Sequence, residues 1–235
     1  MANVRKQFLL SSLLICSVAH AQMQSRPAVV ELFTSQGCSS CPPADAYVAE
    51  LAQRRDVLAL SFHVDYWDDL GWKDPFALGA STARQTAYSK TLRRSTVYTP
   101  QVVIDGTEDF VGADRRNIDA TLAAVRTGVP VAIALGNEEV MVELSAREKA
   151  APSEVFVVAY LRKATTSIGR GENAGRTLTE FNIVRGIRDL GQWNGDPVSF
   201  RTQLSSFPRD ATDVAVVVQS QGQHKIIGAA TRSVR

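Results

Sequence analysis

A C-x-x-C pair set where an apolar run gives way to a helical pattern constrains this chain more than any other feature. Ala28 to Phe33 is almost continuously apolar, which predicts a strand buried on both faces. The run breaks at Gln36-Gly37, passes Cys38-Ser39-Ser40-Cys41 and enters Pro42-Pro43-Ala44-Asp45. Ala44, Tyr47, Val48 and Leu51 then share one helical face in a segment reaching Arg54. Prolines are tolerated only in a first turn, so Ser40 is the expected N-cap, with Asp45 near the positive end of the dipole. A thiol at a helix start is favoured as thiolate, and a second thiol three residues on can attack a mixed disulfide formed at the first. A purely structural bridge is the bland alternative. Closing so short a loop adds about 2 kcal/mol in the chain-entropy model and links residues that are already neighbours. Metal binding by the two thiolates is a third possibility.

The N-terminus predicts a secretory signal over residues 1–21. Arg5 and Lys6 precede an apolar stretch from Phe8 to Val18, and Ala19-His20-Ala21 is an A-x-A cleavage site. Cleavage after Ala21 would bring the formal charge from +2 to 0 and remove Cys16 and His20. What remains has Cys38 and Cys41 alone, a poor staple set but a complete redox pair for a periplasmic or secreted chain. No basic footprint suggests nucleic acid, and stable membrane insertion after cleavage is not expected. Only His63 and His224 survive cleavage, so one chain cannot build a site from three histidines.

Along the chain, Val57 to Val64 predicts a second strand, parallel to the first through a right-handed crossover. The segment Asp65 to Pro75 is dense in aromatic and acidic residues, and a helix is expected from Phe76 to Leu92. Thr99-Pro100 leads a strand ending at Asp105-Gly106, a hairpin turn signal, with Glu108 to Val111 returning. Asp114 is the expected cap of a helix over residues 115–126. From Val129 the helical pattern fades. Strand-like runs appear at residues 131–135, 140–144, 155–161, 177–184, 214–219 and 225–228. This predicts an α/β domain over residues 22–128 and a small all-β, sandwich-like domain over 129–235.

The order strand, C-x-x-C helix, strand, helix, Thr-Pro-led strand, strand, helix resembles the thioredoxin fold. In that family the proline before the third strand is cis and faces the cysteines, a position matched by Pro100. More closely, the chain resembles secreted bacterial proteins grouped as a thioredoxin-like family of unknown function. The matching stretches are residues 31–45, Phe62 to Asp68 with Gly71 to Pro75, and Gly169 to Thr179. The resemblance implies catalytic roles for Cys38 as nucleophile, Cys41 as resolving thiol, and Pro100 as the residue shaping a substrate-docking edge beside Thr99. Thioredoxins also carry a buried acid in the first strand as proton acceptor, and Glu31 matches it with a loop one residue longer.

His63 and Asp65 alternate along the second strand's end and so point to one side. With Cys38 and Cys41 they could complete a metal site, which is the alternative function: a module handling Cu(I) or Zn, or else a protein-binding module on a thioredoxin-like scaffold. Trp67 and Trp72 could line a groove for a peptide substrate or belong to the core. Gly169 to Gly175 does not fit G-x-G-x-x-G and opens no helix, so it reads as a turn between strands. The expectation is a thiol–disulfide oxidoreductase acting on protein thiols and disulfides with an unidentified redox partner, without an organic cofactor, in which Cys38 is more exposed than Cys41.

Overall fold

The computed structural model of the protein describes residues 24–136 and 138–234. The expected signal, its cleavage site and Cys16 lie outside the described residues. After a two-residue β1 (Gln24–Ser25), the apolar run forms β2 (Ala28–Thr34), and α1 (Pro42–Leu51) leads to β3 (Val57–His63). Next come α2 (Gly79–Thr91), β4 (Gln101–Ile104), β5 (Glu108–Val111) and α3 (Arg115–Leu122). Strands then dominate: β6 (Thr127–Gly128), β7 (Val131–Gly136), β8 (Glu139–Leu144), β9 (Ser153–Ser167) and β10 (Thr177–Trp193). The last three are β11 (Val198–Gln203), β12 (Asp213–Ser220) and β13 (Ile226–Ser233). Among the described residues no helix is long and apolar enough to cross a membrane.

The expected fold class, an α/β thioredoxin-like domain followed by a separate sandwich, is overturned. The protein is mostly β, built on one mixed eight-stranded sheet in the order β13-β12-β9-β10-β3-β2-β4-β5. Four of these strands come from each side of residue 129, so the sheet crosses the expected boundary. The join is parallel, Ile183 of β10 lying opposite Ser61 of β3. The Ser61 hydroxyl donates to the Phe181 carbonyl, 120 residues away in sequence. A separate three-stranded sheet, β11-β8-β7, covers the distal end of the large one. There Val140, Val142 and Leu144 pack on Val155, Val157, Val214 and Val216.

Alternation decides what each face of β2 does. Val30 and Leu32 face α1 and α3, packing with Ala44, Val48 and Ile118. Val29 and Phe33 face the opposite side, toward Tyr88 of α2, and that cluster continues without a break into Tyr160, Val184 and Val217 of the second half. The sheet is thus one hydrophobic unit, with β3, buried along its whole length, lying between β2 and β10.

Local differences have local causes. Cys41, not Ser40, is the N-cap of α1, and the two prolines take its first helical positions. Helix α2 begins at Gly79 because Asp74 accepts from the Phe76 N–H in a turn of its own. Strand β11 was not expected from the sequence, since its inward side chains Val198 and Phe200 alternate with polar residues over too short a run.

Candidate functional site

Cys38 and Cys41 lie at the C-terminal end of β2 and the start of α1, joined as a disulfide with Cα atoms 5.4 Å apart. Both residues are 0 % exposed, which corrects the expectation that Cys38 is the accessible one; Ser39 and Ser40 between them are exposed. Pro42 and Pro43 have no N–H, and the N–H groups of Ala44 and Asp45 go to the Cys41 carbonyl. The usual helix N-terminal donors are therefore spent. The Ser40 hydroxyl, 3.4 Å from Cys38 Sγ, is the polar group beside that sulfur.

The glycine-rich turn expected to be bland sits on this loop. It joins β9 to β10 and carries Asn173 into a buried position. There the Asn173 amide donates to the carbonyls of Gln36 and Cys38, both at 2.9 Å. Glu172 accepts from the Ser39 N–H at 3.1 Å. Gly171, at φ +75°, lets the turn press on Trp72, for a Cβ there would come 3.1 Å from the Trp72 Cβ. Asn173→Ala strips a donor from two buried carbonyls and should destabilise the fold by about 1–3 kcal/mol. It should also speed reduction of the disulfide by dithiothreitol several-fold. Urea unfolding and thiol-release kinetics check the two effects.

The residues expected at the site are placed as follows. The Thr99-Pro100 peptide is cis. Pro100 is buried against Gly112, and Ala44 of α1 closes on that same glycine, so the proline loop packs beside the cysteine helix. Trp67 and Trp72 flank the C-x-x-C loop. The Trp67 indole donates to Thr99 Oγ1 at 2.9 Å, and its Cβ would lie 3.2 Å from a Cβ on Gly37. The Trp72 indole donates to Gln36 Oε1 at 3.0 Å. Glu31 points to the opposite face of β2 from α1. Arg84 holds it with two hydrogen bonds, 2.6 and 3.1 Å, and Tyr88 donates to it as well. It is engaged there as half of a buried ion pair. Asp65 lies beyond the end of β3, accepting from Thr82 Oγ1 at 2.5 Å.

His63 faces inward, 0 % exposed, and both ring nitrogens meet carboxylates. Nδ1 is 2.7 Å from Asp74, and Nε2 is 3.6 Å from Glu180. Among the described residues, no three of His, Cys, Asp and Glu are placed to hold a metal ion together. The grouping Cys38, Cys41, His63 and Asp65 is therefore not assembled in this state.

What the structure does assemble is a buried polar cluster that reaches the C-x-x-C loop through Gln36. Its members are His63, Asp74, Glu180, Gln36, Thr34 and Asp45. Gln36 bridges to Glu180 at 2.7 Å, and its backbone N–H donates to Asp74 at 2.9 Å. Thr34 Oγ1 donates to Asp45 at 2.8 Å. Asp45 lies one helical turn beyond Cys41, a spacing that puts the two on one side of α1. Burial, with Glu180 adding to it, pushes the Asp45 carboxyl up to about 7. Burial alone would lower His63, but Asp74 and Glu180 outweigh it and hold the imidazole up at about 9. Burial works to raise Asp74 too, yet the His63 charge keeps it below the usual carboxylate range. Glu180 is raised by burial. The signal for Asp45 was present in the sequence as an acid four residues after the second cysteine. Glu180 could be suspected only as an acid sharing the buried parity of Leu178 in its strand.

Comparison with known proteins adds membership rather than chemistry. The family model described as "Protein of unknown function (DUF1223)" matches residues 29–219. A crystal structure of an Agrobacterium tumefaciens protein, solved by a structural genomics consortium, superposes with a TM-score of 0.78 at 32% sequence identity. The match covers 91% of this chain and 97% of that one. No curated protein matches the chain.

Proposed function

As the chain belongs to the DUF1223 family, whose function is unknown, we propose from the site itself that it is a thiol–disulfide oxidoreductase acting on protein disulfides outside the cytoplasm. The observation that carries this reading is a closed C-x-x-C disulfide at a helix start, with the carboxyl of Asp45 buried one helical turn beyond Cys41. An inert bridge has no use for such a group.

A substrate thiolate attacks Cys38 Sγ, the Cys38–Cys41 bond breaks, and a mixed disulfide forms at Cys38. The electron pair leaves on Cys41 Sγ, which takes a proton from the protonated Asp45. In the opposite direction Asp45 removes the Cys41 proton, the thiolate attacks the mixed disulfide, and the substrate departs as thiolate. Ser40 donates to the Cys38 thiolate. Trp67, Trp72 and Thr99 form the wall against which a peptide would lie, with exposed Tyr66 and Leu70 continuing the surface. Because both sulfurs are buried, exchange requires the Glu172–Asn173 turn to move from the cysteine loop. No cofactor is required, and the cysteines oxidise and persist as a disulfide in an oxidising compartment.

The test is trapping. Cys41→Ser, incubated with a scrambled protein substrate that retains its disulfides, should accumulate a mixed disulfide through Cys38 as a substrate disulfide opens, while Cys38→Ser should not. Absence of any adduct with Cys41→Ser, together with no insulin reduction by the unaltered protein, would overturn the reading.

A further inference from the structure

The buried polar cluster places three carboxyls around one imidazole, and they are not equally served. Asp74 is met by His63 and by the N–H groups of Gln36 and Phe76. Glu180 accepts from Gln36 through one oxygen. Its other oxygen and His63 Nε2 are buried, without hydrogen-bond partners, and 3.6 Å apart. Asp45 receives one bond, from the Thr34 hydroxyl. One cation cannot balance three buried anions, so one carboxyl must keep a proton. Asp45 is the one of the three with no ion pair to the imidazole among the described residues.

We propose that Glu180, on β10, and His63, on β3, are positioning residues for the dithiol chemistry: opposed charges that together set how readily Asp45 holds the Cys41 proton. This rests on Asp45 being the proton acceptor. Helix α1 packs on β10, β3 and β2, and the groups that act on Asp45 are Thr34 from β2, His63 from β3, Glu180 from β10 and Asp74 from the segment before α2. Of these, Glu180 and Asp74 favour its protonated form, and His63 and Thr34 favour the carboxylate. A fully structural pair would close its hydrogen bonds; this one leaves two atoms open and acts through charge. The second half of the chain thereby supplies part of the site.

The experiment is the pH–rate profile for oxidation of the reduced full chain by oxidised glutathione. Glu180→Gln removes an anion and should move the acid limb to lower pH by about one unit, up to about tenfold faster on that limb. His63→Asn removes the cation and should move the limb up by a similar amount. Loss of packing cannot produce opposite displacements. Asp45→Asn separates the two levels of the argument. If it leaves the limb in place, the acceptor is misassigned. If it removes the limb while the other two variants leave it unmoved or move it the same way, this inference alone fails. Should a variant not fold, carboxyl carbon-13 titration of the unaltered protein decides. Biphasic curves in which Asp45 and Glu180 each step at the other's midpoint are expected, and independent titrations would overturn the coupling.

Discussion

Asp45→Asn should slow dithiol exchange at neutral pH by about 10²–10⁴-fold, the range a positioned proton acceptor supplies. The amide keeps the shape and the Thr34 contact, so the loss reads the proton and not the packing. Stability should move the other way. The folded carboxyl titrates at about 7 against an ordinary value of 3.8, so folding favours its protonated form. That advantage is complete below pH 3.8 and is lost as pH rises through 7. Above pH 7 the unaltered protein carries a buried, poorly served carboxylate, and the asparagine variant does not. At pH 8 the variant should therefore be more stable, by up to roughly 3–4 kcal/mol before any cost of local repacking. Urea unfolding at pH 5 and pH 8 checks this: the gain should appear at pH 8 and shrink at pH 5.

Arg84→Met should be the most damaging single substitution away from the cysteines. Glu31 is 1 % exposed on β2, and the Arg84 guanidinium holds both its oxygens. The same guanidinium also donates to Tyr88 and to Gln219 of β12. Removing it strands a buried carboxylate and cuts a tie between the two halves of the sheet. Breaking one side of such a pair costs about 3–5 kcal/mol, a large fraction of a small protein's stability. The paired replacement Glu31→Gln with Arg84→Met should recover most of that loss, because no charge is left unpaired. Denaturant midpoints of the two variants are the measurement, and a double variant no better than the single one would sink the account.

The N-terminal elements were legible because their signals are local. The apolar run of β2, the prolines after Cys41 and the Thr99-Pro100-led strand each announce themselves within a few residues. The same local reading drew a boundary near residue 129 that the sheet does not respect. The pairing of β10 with β3 is parallel and non-local, with nothing in the sequence of either strand to name its partner. For that reason the α/β expectation gave way to a mixed eight-stranded sheet. At the site, the cysteines could be read from spacing alone. Glu31 was expected to serve them, yet side-chain alternation turns it to the other face, where Arg84 takes it. Asp45 was seen only as a helix-start acid. Asn173 was hidden in a turn whose glycines signal a close approach without saying to what.

The seam between β3 and β10 also orders events in time. Gln36 and its partner Glu180 are 144 residues apart. A chain made from its N-terminus at about 5–20 residues per second reaches the second roughly 7–30 s after the first. During that interval the cysteine loop exists without its Asn173 clasp, and β3 has one free edge. The later hairpin then closes over a loop already in place. On this schedule the hairpin that carries Asn173 and Glu180 is the last part of the site to be made.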